Sequence, residues 1–272
     1  MTNFAEWTPQ QAAAHIAVPT DDDDKYSRGV LGVMTGSAKY PGAAVLGVEG
    51  ALRTGVGMVR YIGPGRPTRL VLARRPEAVT SNGRVQAWLI GSGTDDETRD
   101  PLSARLMTEA AGQGVPIIFD GGALDLHDKA TGPVILTPHY RELARVLGAE
   151  QSEIASDPAT WAQTAANQLG VTVLLKGHAT WIAGPGVGMV TRVAPNWLAT
   201  AGAGDVLAGI LGALVATHSE QCVADETLIA KLAASATVIH GLAAERASAG
   251  GPFTILDLAE QVPPTIAALL AP

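Results

Sequence analysis

Cysteine, aromatic residues and charge are all scarce in this chain of 272 residues. A single cysteine, Cys222, excludes an internal disulfide and is typical of a reducing compartment, so we expect a cytoplasmic protein. Aromatic residues make up 4% and charged residues 17% of the chain, whereas hydrophobic residues reach 47%, which excludes a disordered chain. No Cys/His spacing typical of a structural zinc site occurs.

Long hydrophobic runs and excess positive charge are also lacking. The longest apolar run, 206–216, is shorter than the ~20 residues that cross a bilayer. The N-terminus has neither the basic nor the apolar region of a signal peptide. A net charge of −7 argues against a nucleic-acid partner. We therefore expect no membrane and no nucleic acid, but small-molecule ligands, including anionic ones.

The order of apolar runs and helical patterns predicts the fold class. Apolar runs that end in glycine or polar residues predict strands at 29–36, 56–62, 69–73, 85–90, 115–120, 134–138, 171–178, 179–183 and 189–193. Helical spacing predicts helices at 42–54, 100–112, 140–147, 158–169, from 205, and at 225–248 and 256–270. This alternation predicts one α/β domain over 1–272, a doubly wound, mostly parallel sheet with helices on both faces.

Polar and glycine residues collect at the predicted carboxyl ends of the strands. They are Gly36, Gly91 to Gly93, Asp120, Thr137 to His139, Lys176 and Gly202 to Asp205. In an open α/β sheet, ligands bind beyond these ends. The concentration of such residues there predicts an enzyme.

The turn from Gly202 to Gly204 leads into Asp205 and an apolar helix. Glycines allow close backbone approach, and the free amides of a helix start suit a phosphate. A carboxylate repels phosphate, so Asp205 fits a base that accepts the proton of a hydroxyl. The alternative is a tight loop in which Asp205 only caps the helix.

Lys176 follows an apolar strand and precedes Gly177. Its ammonium can neutralise a polyphosphate, to which Thr180 can also hydrogen-bond. The alternative is a lysine that simply extends into solvent. Together with the glycine turn, the phosphate interpretation is favoured, although the spacing of a P-loop is absent.

His139 and Glu142 lie in the first turn of a predicted helix. Glu142 can bind Mg²⁺, directly or through water, and His139 can contact a ribose or carboxamide. Equally, the two can form a helix cap. Asp120 is either a ligand contact or a former of the turn after its strand. Trp197 is a candidate contact for a bound group, and His240 is expected to be a buried helix histidine.

Several short motifs occur in order from about Gly29 to Leu270. They are Thr35-Gly36-Ser37, Pro41-Gly42-Ala43-Ala44, Ala51-Leu52-Arg53-Thr54-Gly55-Val56-Gly57, Pro76-Glu77-Ala78, Leu136-Thr137-Pro138-His139, Leu174-Leu175-Lys176-Gly177 with Thr180, and Ala199-Thr200-Ala201-Gly202-Ala203-Gly204-Asp205. In this combination the chain resembles the ADP/ATP-dependent NAD(P)H-hydrate dehydratase family of the ribokinase-like superfamily.

The resemblance implies a ribokinase-like fold without a separate lid domain, and repair of NAD(P)HX, the hydrated form of NAD(P)H. A nucleotide, ADP rather than ATP, would phosphorylate the C6 hydroxyl with Mg²⁺ present, and loss of phosphate would restore the ring double bond. Asp205 would be the catalytic base. Residues matching the family's nucleotide contacts are Lys176, Gly177, His178, Ala179, Thr180, Gly202, Ala203 and Gly204. Those matching its substrate contacts are Ala43, Gly93, His139 and Asp205, and Glu142 would bind the metal.

The resemblance further implies a homotetramer. Because little chain precedes Gly29, we expect the epimerase domain that is fused in some relatives to be absent. The family's usual Pro-Gly pair is replaced by Tyr140 and Arg141, and its Gly-Pro-Gly by Gly91-Ser92-Gly93. Two alternatives remain. One is a small-molecule kinase of the same superfamily, similar to hydroxyethylthiazole kinase, and the other is a non-catalytic nucleotide-binding paralogue.

Overall fold

A nine-stranded sheet forms the centre of the structure, a computed structural model that describes residues 4–271. Its strands are β1 (Ala5–Glu6), β2 (Val30–Met34), β3 (Met58–Tyr61), β4 (Ala87–Ile90), β5 (Ile117–Phe119), β6 (Val134–Leu136), β7 (Thr172–Leu175), β8 (Thr180–Gly184) and β9 (Val187–Thr191). They lie in the order β1-β9-β8-β7-β6-β5-β4-β2-β3.

Only β8 runs antiparallel to its neighbours β7 and β9, so the sheet is mostly parallel, as predicted. The chain reverses its direction of travel at β2, which lies between β3 and β4. Such a switch point opens a crevice at the carboxyl ends of the strands. All strands of residues 4–271 belong to this sheet, and no separate lid is built from them.

Helices cover both faces of the sheet. They are α1 (Pro9–Ala13), α2 (Gly42–Thr54), α3 (Gly65–Arg74), α4 (Pro101–Ala111), α5 (Tyr140–Leu147), α6 (Gln151–Ser156), α7 (Pro158–Leu169), α8 (Ala203–Thr217), α9 (Ser219–Ala224), α10 (Glu226–Ser248) and α11 (Ile255–Leu270). Neighbouring strand residues such as Ile117 and Ile118 belong to different hydrophobic cores, one on each face. This two-sided burial explains why the strands are continuous apolar runs.

Helices α2 and α8 approach each other unusually closely because glycines lie at their crossing. A Cβ on Gly50 would overlap the carbonyl of Val206, and one on Gly209 would overlap the carbonyl of Gly47. The small residues of α2 therefore pack directly against the helix that carries Asp205.

The strand predicted at 69–73 is wrong, because these residues lie within helix α3. The apolar run Leu70-Val71-Leu72 has the composition of a strand, but only Val71 of the three is buried. Pro67 is buried four residues earlier, so the buried face has helical spacing. Helices α6 and α9, and a 3₁₀ helix at Gly121–Lys129, were not predicted.

A buried carboxylate joins α2 to α3. Glu49 has no exposed side-chain surface and pairs with three guanidinium groups: Arg53 Nε at 2.7 Å, Arg74 Nε at 2.6 Å and Arg75 Nη2 at 2.5 Å. Burial pushes the pKa of Glu49 upwards, but the arginine hydrogen bonds outweigh it and hold the pKa below its usual value. This cluster fixes α3 against the helix pair that positions the glycine turn.

One helix, α10, is long and apolar enough by composition to cross a membrane. Of its most apolar window, 78% is buried inside the fold. The core helix of a folded domain passes the same test.

Candidate active site

A cleft of about 1300 Å³ opens at the carboxyl ends of β4 to β7, beside the start of α8. It collects most of the predicted site residues: Gly93, His139, Glu142, Lys176, Gly177, His178, Thr180, Gly202, Ala203, Gly204 and Asp205. Ala43 and Ala179 do not line it. The strand ends therefore do meet at one site, as parallel strands require.

Asp205 lies in the first turn of α8, directly after the glycine turn. The turn depends on Gly202, whose φ of 94° is in the left-handed region that favours glycine. Burial is the main reason that the pKa of Asp205 is raised to about 7, and the charge of Asp120 raises it further while Lys176 lowers it. A carboxylate with this pKa is suited to accept a proton near neutral pH.

Lys176 does not extend into solvent but lies inside the cleft. Its ammonium donates to Asp120 Oδ1 at 2.7 Å and lies 4.0 Å from Glu142 Oε2. Burial would lower the pKa of Lys176, but these carboxylates more than offset it and raise the pKa. Lys176 is therefore a fixed positive charge, and its partner Asp120 lies 56 residues earlier in the sequence.

Asp120 is the N-cap residue of the 3₁₀ helix Gly121–Lys129, and its main-chain carbonyl accepts from the amide of Ala123 at 3.2 Å, but its side chain makes no capping hydrogen bond. Its buried carboxylate accepts hydrogen bonds from Ser92 Oγ at 2.8 Å, Thr137 Oγ1 at 2.7 Å and Lys176. These partners hold the pKa of Asp120 below its usual value although burial raises it. Three strand ends, those of β4, β6 and β7, thus converge on one carboxylate.

His139 and Glu142 form the helix cap that was one of the two alternatives. The amide of Glu142 donates to His139 Nδ1 at 3.1 Å, and the amide of His139 donates to Glu142 Oε2 at 2.8 Å. Because Nδ1 accepts, a neutral ring carries its proton on Nε2. The ring is 51% exposed, so capping leaves both side chains in the cleft.

Gly93 lines this cleft with a φ of 66°. A Cβ there would overlap the Cβ of Ala43 and press on the carbonyl of Tyr40. Ala43, predicted to contact substrate, is therefore directly behind Gly93. The exposed ring of Tyr40 lines the mouth of the cleft instead.

Gly204 lies against Lys176 in the lining of the cleft. A Cβ on Gly204 would be 3.4 Å from Lys176 Nζ. The glycine turn and the ammonium thus face a common space beside Asp205. Backbone amides and a fixed cation around one space suit a phosphate group.

Two further residues bear on the site. His240 is buried, as predicted, but it also lines the cleft, and its Nε2 has no hydrogen-bond partner within residues 4–271. Burial lowers the pKa of His240 to about 4, so the ring is neutral. Nothing in the spacing of the sequence could have indicated that His240 lines the cleft.

Trp197 is 53% exposed and does not line the cleft, whereas its neighbours Asn196 and Leu198 do.

The sequence profile of a family described as NAD(P)H-hydrate dehydratase matches residues 31–263. The bifunctional NAD(P)H-hydrate repair enzyme of Mycobacterium tuberculosis is 40% identical over 229 residues, covering 79% of this chain and 47% of the relative. The chain thus spans about half the length of such bifunctional relatives. The ADP-dependent (S)-NAD(P)H-hydrate dehydratase of Neisseria meningitidis is 33% identical over 72% of each chain.

The fold matches a solved structure of the same kind. The ADP/ATP-dependent NAD(P)H-hydrate dehydratase of Bacillus subtilis, co-crystallised with ATP and Mg²⁺, superposes with a TM-score of 0.85 and 26% identity. The overlap covers 98% of this chain and 99% of that one, and confirms the predicted ribokinase-like architecture. On the matched profile and these relatives, the chain belongs to the NAD(P)H-hydrate dehydratase family.

Proposed function

We propose that the protein restores NAD(P)H from (6S)-NAD(P)HX by phosphorylating the hydrate hydroxyl and then eliminating phosphate, with ADP preferred over ATP. Family membership supports the reaction, and the name of the Neisseria meningitidis relative supports ADP. The observation that carries the proposal is Asp205, whose pKa of about 7 and position beside an amide-lined turn suit a base for a hydroxyl under phosphorylation.

In the first step, Asp205 accepts the proton of the C6 hydroxyl as its oxygen attacks the terminal phosphorus of the nucleotide. The bond to the bridging oxygen breaks, and the nucleotide leaves one phosphate shorter. Amides of the turn from Gly202 to Gly204 would hold the charge on the transferred group, and Lys176 would neutralise it. Lys176 stays charged for this task because Asp120 raises its pKa.

The second step needs little from the protein. The lone pair of the ring nitrogen expels the phosphate from C6, so the C–O bond breaks and phosphate carries away the electron pair. Loss of a proton from C5 then restores the ring double bond. The protein's part is to hold the hydrate beside Gly93 and His139 while the leaving group departs.

Nucleotide and metal both fit the residues present. The unpartnered, buried Nε2 of His240 lies in the cleft beside the glycine turn, where a polar ligand would satisfy it. Within residues 4–271 there is no cluster of three metal-ligating side chains. That suits Mg²⁺, which is commonly held by one or two carboxylates, waters and substrate phosphates. Glu142 would supply the carboxylate, directly or through water, and the metal would neutralise phosphate charge.

We also propose that residues 1–272 form one dehydratase domain, and that the protein is a cytoplasmic homotetramer without a nucleic-acid partner. The single sheet supports the first part, and the buried Cys222 thiol, whose pKa burial raises to about 12, is inert and compatible with a reducing compartment. The tetramer rests on resemblance to the family. Light scattering coupled to size exclusion measures the mass of the particle and tests it.

One assay tests the function. The protein is incubated with NADHX or NADPHX, ADP or ATP, and Mg²⁺, and the absorbance of restored NADH or NADPH is followed. We expect turnover with either hydrate and a higher kcat/KM with ADP. A stable phosphorylated product from another alcohol, without turnover of either hydrate, would indicate a small-molecule kinase. Nucleotide binding without turnover of any substrate would indicate a non-catalytic paralogue.

A further inference from the structure

Arg141 is a cation in the cleft that has no carboxylate partner among residues 4–271. Six carboxylates and three cations line the cleft. Of the cations, Lys176 pairs with Asp120, and Arg145 Nη1 lies 2.9 Å from Asp96 Oδ1. Arg141 is exposed, and the structure gives it no salt bridge over residues 4–271. It is therefore the available positive charge in a lining that is otherwise dominated by acid.

The stability of α5 does not account for an arginine at this position. Arg141 is the second residue of the helix, where the positive end of the helix dipole disfavours a cation. It also replaces the glycine of the family's usual His-Pro-Gly-Glu. Because this positive charge neither stabilises the helix nor forms a salt bridge, binding of a ligand is the simpler explanation for an arginine here.

The helix directs Arg141 towards the side of the cleft lined by Gly93, which is predicted to contact the substrate. Arg141 and Arg145 are four residues apart, so they lie on the same face of α5. That face meets the loop after β4, because Arg145 binds Asp96 there, three residues beyond Gly93. At the preceding position, the ring of Tyr140 packs directly over Gly177 and anchors the helix start to the end of β7.

We propose that Arg141 binds a phosphate group of the hydrated dinucleotide substrate, an inference that rests on the proposed function. NADHX carries a pyrophosphate and NADPHX carries an additional 2′-phosphate. Two acidic residues of the lining, Asp95 and Glu97, would repel these groups. A guanidinium offers two parallel hydrogen bonds to a phosphate, which compensates that repulsion. Arg141 therefore determines affinity for the substrate and not the rate of the chemical step.

The test compares Arg141→Gln and Arg141→Lys with the wild type, and uses Arg105→Gln as the matched control. Arg105 is an exposed arginine on α4, paired with Glu109 at 3.6 Å and absent from the cleft lining. KM and kcat are measured for NADHX, NADPHX and ADP. Binding of the products NADH and NADPH is titrated separately by their fluorescence, which requires no turnover.

We expect Arg141→Gln to raise the KM for the hydrate about five- to tenfold, with kcat and the KM for ADP within twofold of wild type. Arg141→Lys should recover part of the loss, and Arg105→Gln should change nothing. A loss confined to NADPHX and NADPH assigns the contact to the 2′-phosphate, and an equal loss with both forms assigns it to the pyrophosphate.

An unchanged KM for both hydrates with unchanged product binding would overturn the inference, as would a raised KM for ADP alone. Absence of hydrate turnover in the wild type would overturn the proposed function instead. In that case the fluorescence titration still tests whether Arg141 binds a phosphate of the dinucleotide. Weaker binding of NADH or NADPH by Arg141→Gln than by the wild type supports this role, and equal or undetectable binding contradicts it.

Discussion

Lys176 is hydrogen-bonded to Asp120 at 2.7 Å, so this cation is already paired with a carboxylate other than Asp205. Burial, and to a smaller extent the negative charge of Asp120, keep the pKa of Asp205 at about 7, and Lys176 offsets this only in part. The pair thus supplies a fixed cation for phosphate and leaves Asp205 able to gain and lose a proton near neutral pH.

The pKa of Asp205 predicts the pH dependence of the reaction. Asp205 must be ionised to accept a proton, and its ionised fraction falls as the pH drops below about 7. We therefore expect kcat/KM to be level above that pH and to fall about tenfold per unit below it. Initial rates at low hydrate concentration across a pH series measure this profile.

Asp120→Asn should move the acidic limb of that profile to lower pH. The substitution removes a negative charge that raises the pKa of Asp205 and leaves the positive charge of Lys176 in place. Asp128→Asn is the matched control, since Asp128 is 58% exposed and does not line the cleft. A limb that stays in place or moves to higher pH contradicts the electrostatic assignment.

Glu49→Gln should lower the free energy of unfolding by about 3 kcal/mol, because it leaves three arginines without their buried partner. Urea denaturation measures the change. Glu260→Gln serves as the control, because Glu260 is 53% exposed and lies at the longer distances of 3.6 Å from Arg74 and 3.7 Å from Arg53. This substitution should lower the free energy of unfolding by less than about 1 kcal/mol. Equal effects of the two substitutions would mean that the buried cluster does not stabilise α3.

Gly209→Ala should lower both stability and activity. The new methyl group would overlap the Gly47 carbonyl and force α8 away from α2. Because Asp205 lies one turn earlier on α8, its position would shift as well. We expect the free energy of unfolding to fall by about 1–3 kcal/mol and kcat to be lower. At Gly42 an added Cβ meets nothing within 4 Å, so Gly42→Ala should be neutral or stabilising in the same denaturation experiment. A tolerated Gly209→Ala would contradict the close packing of the two helices.

Most strands and helices could be predicted because burial on both faces of a parallel sheet leaves a clear record of apolar runs and breaks. The exception at 69–73 shows the limit of that record. Three consecutive apolar residues have the composition of a strand. They form a helix here because only one of them is buried against α2, and such burial depends on tertiary packing that the local sequence does not show. The order of the strands likewise depends on pairings between distant segments.

At the site, the sequence predicted which residues meet but not how they pair. Asp205 and the glycine turn are local, so their geometry follows from the motif. The contact of Lys176 with Asp120 spans 56 residues and depends on the register of β5, β6 and β7. His139 and Glu142 were correctly placed together, yet the choice between capping and ligand binding was open because one spacing serves both.

The most direct test of the central assignment compares turnover and nucleotide binding in Asp205→Asn. The amide keeps the shape of the carboxylate but cannot accept the hydroxyl proton, so turnover of NADHX should fall by at least about 10²-fold to 10⁴-fold. The Kd for ADP, measured by calorimetry, should stay within a few-fold of wild type, since the turn and Lys176 are intact. A variant that keeps a near-wild-type rate would show that Asp205 is not the base.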